Sequence, residues 1–241
     1  MSITVNNLTK YYGKFRALTE VNLDIQNGQT VGLVGLNGAG KTTLMKSIVG
    51  LIVNFNGEIL INNHSVNTRE AKSHVSFLSE NFSPPLYLTG YDFVSYMVRL
   101  YGKKSNNKEI NDFADRLNLY QNILSQPIRT YSKGMRQKLG LMATMLPDTD
   151  IVILDEPLSG LDPEARSIVK NAFGILRKNS KTLFFSSHIL TDLEGVADRL
   201  VVIHEGKKTF DGTPEELRSY SEGSLEDAFI QVIHSNKKPL N

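Results

Sequence analysis

The sequence contains no cysteine in 241 residues. That excludes disulfide cross-links and any metal centre built on thiolates, and it fits a reducing compartment. A long apolar run is also missing, since no stretch reaches the roughly 18 apolar residues that a membrane-spanning helix needs. The opening Met1-Ser2-Ile3-Thr4-Val5 lacks the charged-then-apolar layout of a signal peptide. Charge of one sign is scarce too: the formal net charge is +2, so there is no broad basic footprint for nucleic acid. No internal repeat or low-complexity tract stands out. The expectation is a soluble, cytosolic chain that buries a substantial core as one large or two intimately joined domains.

What is present is strand and helix punctuation in a definite order. Ile3 and Val5, then Leu18, Val21, Leu23 and Ile25, recur in near period two, which predicts antiparallel strands. Asn27-Gly28 supplies a turn before the unbroken apolar run Thr30 to Val34. Residues 57–62 and 75–78 read as further strands, and Pro84-Pro85 breaks regular structure. From Thr89 to Leu146 the spacing of Phe93, Tyr96, Met97, Leu100, Phe113, Leu117 and Leu119 changes to that of amphipathic helices. Strand signals return at 151–154, 182–185 and 200–203, and Glu205-Gly206 marks a tight hairpin turn. Apolar strands without alternation predict a mostly parallel sheet covered on both faces. The chain therefore reads as one α/β core with a helical insertion.

Three motifs carry chemistry. The first is Gly35-Leu36-Asn37-Gly38-Ala39-Gly40-Lys41-Thr42, set between a strand and a run from Thr42 to Leu51 that can continue as a helix. Glycines let the backbone curl so that successive N–H groups face an anion, Lys41 adds a point charge, and the Thr42 hydroxyl can reach a magnesium ion. The helix N-terminus that follows favours negative charge. This pattern points to ATP or GTP; the plain alternative is a Gly-rich turn. The second motif is Ile151 to Leu154 followed by Asp155-Glu156-Pro157, a buried strand that delivers two carboxylates to the edge of the sheet where ligands collect. Asp155 would hold magnesium through water, opposite Thr42, and Glu156 would polarise the attacking water. Alternatively, Asp155 caps a helix and Glu156 is solvated. The third is Tyr131-Ser132-Lys133-Gly134-Met135-Arg136-Gln137, in which Ser132 is a good N-cap for a helix to about Leu146 and Gly134 keeps its first turn open to an anion. Taken alone, this is an ordinary capped helix.

The order of these motifs resembles the nucleotide-binding subunit of ATP-binding-cassette (ABC) transporters along nearly the whole chain. Residues Gly35 to Thr43 look like its phosphate loop, Tyr131 to Gln137 its signature, and Ile151 to Glu156 its magnesium strand. Ser159-Gly160-Leu161-Asp162 matches its D-loop, and Ser186-Ser187-His188 its switch histidine. The resemblance implies a P-loop NTPase (RecA-like) α/β core with an N-terminal antiparallel β-subdomain and an inserted α-helical subdomain. The expected boundaries are 1–87 and 147–235 for the core and β-subdomain, 88–146 for the helical signature subdomain, and 236–241 for a tail in which Lys237-Lys238 is solvated.

The resemblance further implies ATP and Mg2+ as cofactors, with Tyr12 stacking on adenine and residues 35–43 holding the phosphates. Thr43 and Asp162 join the cofactor-binding set, and Thr42, Glu80 and Asp155 the metal set. Lys41, Glu156 and His188 are the expected catalytic residues, with His188 bonding the γ-phosphate. Two subunits, as a homodimer or a homologous heterodimer, would sandwich two MgATP, and Ser132 and Gly134 of one would touch the nucleotide of the other. Three positions depart from the family pattern. Glu80 stands where the family often has Gln, Lys133 where Gly is common, and Met135 where Gln is common.

A membrane permease is the implied partner, placing the chain in the cytoplasm, peripheral on the inner face of the membrane. Phe82, Tyr87, Phe93, Tyr96 and Tyr101 are candidates to line a groove for a short helix of that permease, or else belong to the helical core. The signature and the ending Ser224 to Phe229 resemble subunits of ABC-2-type systems, which are mostly exporters. The leading expectation is an ATP-hydrolysing motor of an exporter that binds no nucleic acid. The alternatives are a soluble ABC ATPase acting on ribosomes or DNA, disfavoured by the absence of a second phosphate loop, and a cassette that binds ATP without turnover.

Overall fold

The computed structural model describes residues 2–234; the expected tail, with Lys237 and Lys238, lies outside them. The chain begins with β1 (Ile3–Tyr12), β2 (Phe15–Ile25), β3 (Thr30–Val34) and α1 (Lys41–Ile48). Then come β4 (Asn56–Ile61), β5 (His64–Ser65), α2 (Arg69–Ser73) and β6 (Val75–Leu78). Four helices follow: α3 (Gly90–Leu100), α4 (Asn107–Arg116), α5 (Gln121–Leu124) and α6 (Lys133–Met145). The last third holds β7 (Ile151–Leu154), α7 (Pro163–Lys178), β8 (Thr182–Ser187), β9 (Arg199–His204), β10 (Lys207–Gly212), α8 (Pro214–Arg218) and α9 (Leu225–His234).

Two sheets organise these elements. The four-stranded sheet has the order β2-β1-β4-β5 and is antiparallel. The six-stranded sheet has the order β10-β9-β3-β8-β7-β6, and every pair in it is parallel except the hairpin of β9 and β10. That hairpin turns at Glu205 and Gly206, both with positive φ, as two-residue hairpins require. This is the mixed α/β fold that the sequence predicts.

The parallel strands are mostly apolar because each face meets its own core. On β7, Val152 and Leu154 join the core shared with the inserted helices and α7. Ile151 and Ile153 join the core shared with α1 and the antiparallel sheet. The alternation β1 shows in sequence arises because this sheet packs one face only, with Ile3 and Val5 buried and Asn6 and Asn7 exposed.

Local signals set the helix ends. Thr89 caps α3 in a capping box with Asp92, and Ser132 caps α6 by accepting from the Met135 N–H. Helix α1 starts at Lys41 and stops at Ile48, three residues short of the expected Leu51. Gly50 at φ 70° ends it, and Leu51 is left 65% exposed. Helix α7 begins with Asp162 as N-cap and Pro163 in its first turn.

Candidate nucleotide site

Strand β3 ends at Val34, and residues 35–40 curl back over the start of α1. Gly38 and Gly40 sit at φ 80° and 110°, which side-chain-bearing residues rarely adopt, and Gly40 is the left-handed N-cap of α1. The free N–H groups of the first turn therefore open into a cavity of about 400 Å³. Its lining includes Leu36, Gly38, Lys41, Thr42, Thr43 and Glu80, with Tyr12 and Phe15 at one side and Glu156 at the other. Tyr12 is 49% exposed, and the Lys10 ammonium lies 5.0 Å from its ring centre. Phe15 is more exposed still, at 65%. It was not singled out in the sequence, although an aromatic three residues after Tyr12 across a hairpin is a readable signal.

Lys41 is buried. Its ammonium donates to the Gly35 carbonyl at 2.8 Å and lies 3.3 Å from Glu156 Oε1. Glu156 also meets His188, whose Nδ1 is 2.8 Å from Oε2. With the proton on Nδ1 the imidazole donates to the carboxylate, leaving Nε2 free to accept, or to donate when the ring is charged. Glu156 itself has φ 51°, an uncommon backbone for a residue with a side chain, at the turn leaving β7.

The parallel pairing of β7 with β8, with Leu154 opposite Phe185, holds this arrangement. It places Ser186 beside Asp155 and Glu156. The Ser186 hydroxyl donates to Asp155 Oδ1 at 2.7 Å and accepts from the Glu156 N–H at 2.8 Å. Sequence reasoning gave Ser186 no role of its own. Asp155 is fully buried, and its Oδ2 has no hydrogen-bond partner among the described residues. A buried carboxylate oxygen left unpaired fits a divalent cation whose waters or phosphate ligands complete the shell. Among the described residues no three His, Cys, Asp or Glu side chains converge as a metal cage. Thr42 and Glu80 line the cavity, whereas Asp155 is buried and not part of its lining.

Ser132, Gly134 and Asp162 are not part of this cavity. Ser132 is exposed at the start of α6, and Asp162 spends Oδ1 on the Ala165 N–H. Lys133 lies over Gly160: a Cβ built on that glycine would come about 2.8 Å from the Lys133 ammonium. Gln137 on α6 donates to the Pro157 carbonyl, tying α6 to the turn after Glu156.

The aromatic set of the insertion divides. Phe93 is only 5% exposed and packs on Phe82, so it belongs to the core and lines no groove. Tyr87 and Tyr96 are exposed. The Tyr101 hydroxyl donates to the Val75 carbonyl, and the ring borders a separate apolar cavity of about 200 Å³ with Val49, Leu51 and Phe77.

Comparison with known proteins places the chain in a family. A family model described as ABC transporter matches residues 18–159. An uncharacterized ABC transporter ATP-binding protein of Synechocystis is 36% identical over 87% of this chain and 60% of its own length. A lantibiotic transport ATP-binding protein of Streptococcus pyogenes is 34% identical over 89% of this chain and 95% of its own. The solved structure of an ATP-binding subunit of an ABC transporter superposes with a TM-score of 0.88 at 26% identity, covering 96% of this chain and 99% of that one. The chain spans 60% and 62% of the length of the first two curated relatives.

Proposed function

The chain belongs to the ABC transporter family, and from that premise we propose that it binds MgATP and hydrolyses it to drive export through separate membrane subunits. One observation carries the catalytic reading: Glu156, at the end of β7, contacts both Lys41 and His188 beside the phosphate loop. The backbone N–H groups of residues 38–42 and the Lys41 ammonium bind and orient the phosphates. Glu156 takes the proton of the water that attacks the γ-phosphorus, and His188 holds Glu156 in place. Bound through Thr42, Asp155 and Glu80, magnesium would neutralise charge between the phosphates. Most of the catalysis in such a transfer is positioning and charge stabilisation, which buried and pre-oriented groups supply.

Ser132, Gly134 and Asp162 stand outside the cavity of their own chain, which supports a composite site in which a second subunit brings its signature to this nucleotide. A two-fold pair of such subunits would form two equivalent sites. Among the described residues no helix is long and apolar enough to cross a membrane, and in this reading the membrane path belongs to permease partners. Exposed Leu51, Tyr87 and Tyr96 and the apolar cavity beside Tyr101 support a contact with an apolar helix of such a partner. The transport role is supported by likeness to the lantibiotic transport protein, and the export direction by the resemblance of the signature and the ending Ser224 to Phe229 to ABC-2-type systems.

The test is phosphate release from ATP by the purified chain with and without magnesium, followed by co-purification from membranes. Magnesium-dependent release together with a co-purifying integral membrane protein is expected. No phosphate release, or no integral membrane protein co-purifying with the chain, counts against the proposal.

A further inference from the structure

Asp192 is 5% exposed, follows the switch histidine by four residues, and has no part in the nucleotide cavity. It sits in a short 3-10 turn, Leu190–Asp192, packed beside α7. Arg166, in the first turn of α7, reaches it from the other side. Arg166 Nη1 donates to both carboxylate oxygens at 3.3 and 3.4 Å, while its Nε donates to the Leu161 carbonyl at 3.1 Å. The Ser187 hydroxyl donates to Asp192 Oδ2 at 3.3 Å and accepts the Ile189 N–H at 3.0 Å. Lys170, one turn along α7, donates to the Thr191 carbonyl and stands 3.8 Å from Asp192 Oδ1.

These bonds form one continuous chain. It begins at the carbonyl of Leu161 in the segment 159–162, passes through the Arg166 guanidinium to the Asp192 carboxylate, and ends on Ser187. His188 comes next in the chain and grips Glu156. We propose that Arg166 and Asp192 are positioning residues for ATP turnover, linking the placement of the 159–162 segment to that of the His188 imidazole.

The chemistry favours this role over a simple brace. A carboxylate is taken out of water only where donors replace its hydration, and here the donors come from two elements that each carry a site segment. Arginine alone among the cations can bond a carboxylate and a carbonyl at once in a fixed planar geometry. A shift of the 159–162 segment therefore moves a rigid fork, and with it the hydroxyl next to the switch histidine. In the composite-site reading that segment lies toward the second subunit, so arrival of a second copy of the chain would be felt at His188. This inference rests on the ATPase reading above.

Steady-state kinetics on the full chain test it, with Arg166→Gln, Asp192→Asn and the double variant compared with wild type. Each single change is expected to lower kcat about 10- to 100-fold, the effect of misplacing a catalytic group by about 1 Å. KM for ATP should stay within about twofold, because neither residue touches the nucleotide cavity. The double variant should be no slower than the slower single variant, since both cut the same chain. Thermal midpoints monitor folding. If Asp192→Asn lowers the midpoint severely, Ser187→Ala removes only the last hydroxyl and should still reduce kcat at constant KM. Wild-type turnover with unchanged kcat in the variants, or losses that multiply in the double variant, overturns the relay alone. A wild-type chain that releases no phosphate overturns the ATPase reading and the relay with it.

Discussion

Replacing Glu156 by Gln should slow turnover and at the same time tighten ATP binding, and both effects follow from one contact. Glu156 Oε1 lies 3.3 Å from the Lys41 ammonium, and the two side chains are 8% and 7% exposed. At an effective dielectric of about 20 such a pair attracts by about 5 kcal/mol before any desolvation is counted. Phosphate oxygens need the same ammonium, so binding must exchange this carboxylate for a phosphate and then leave the two anions close together. Lys41 keeps its bond to the Gly35 carbonyl throughout, so only part of the attraction is at stake. A buried charged group that surrenders its partner typically costs about 1–3 kcal/mol. Glutamine is isosteric but uncharged, and it avoids most of that cost. ATP affinity should therefore rise about 5- to 150-fold, at about 1.4 kcal/mol per tenfold. Turnover should fall by about 10²- to 10⁴-fold, the usual worth of a general base. Equilibrium titration with a fluorescent ATP analogue reads the first effect and single-turnover phosphate release the second. Weaker nucleotide binding by the Gln variant would refute the competition argument. Undiminished phosphate release would remove Glu156 from the role of base.

Ser132→Arg should abolish hydrolysis while leaving ATP affinity of the monomer unchanged, because Ser132 does not line the cavity of its own chain; loss of monomer binding would refute the composite site. Ser186→Ala strips a buried bond from Asp155 and another from the Glu156 N–H, so chemical denaturation should show a loss of about 1–3 kcal/mol together with slower turnover. Unchanged stability and rate would sink the positioning role given to Ser186. Asp211→Asn concerns acid stability. Burial alone would raise the Asp211 carboxyl pKa, but Arg199 and Lys208 outweigh it and hold it below its ordinary value of 3.8. A group depressed in the folded state stabilises above its unfolded pKa, and the stabilisation is lost as pH falls through the folded one. The variant should thus be less stable by about 1–2 kcal/mol at neutral pH, with the gap closing in acid. Urea unfolding at several pH values measures it, and a gap that persists in acid would contradict the assignment.

The sheets were legible because their burial differs in a way that sequence records. Strands β1 and β2 alternate since one face meets the core, while β7 and the middles of β8 and β9 are unbroken apolar runs since both faces do. Helix α7 went unread although its signals are local: Asp162 caps it, Pro163 opens it, and Val169, Phe173 and Leu176 recur at helical spacing on its buried face. Asp162 reads in sequence as the last residue of the 159–162 motif, and the same carboxylate also caps α7. The aromatic stretch of the insertion failed for another reason. Phe93 and Tyr96 are neighbours on one helical face, and the boundary between core and solvent falls between them. Spacing alone gives the stripe but not its edge.

Contiguous parts of the candidate site were readable, because a loop or a strand end carries its chemistry within a few residues. Ser186, Arg166 and Asp192 were not, since each acts on a segment distant in sequence: the Arg166–Asp192 pair spans 26 residues and the Ser186–Asp155 pair 31. Strand order explains how they meet. The phosphate loop follows β3 and Glu156 follows β7, yet these strands are not neighbours. Between them lies β8, from the last third of the chain, which brings Ser186 and His188 to the same edge of the sheet. Lys41 and Glu156 are thus set at bonding distance by a strand that pairs with both of theirs. A chain ending before residue 182 would contain both residues and lack the strand that spaces them. Within one chain Lys41, Glu156, Ser186 and His188 converge only once β8 lies between β3 and β7, which ties this part of the site to closure of the parallel sheet.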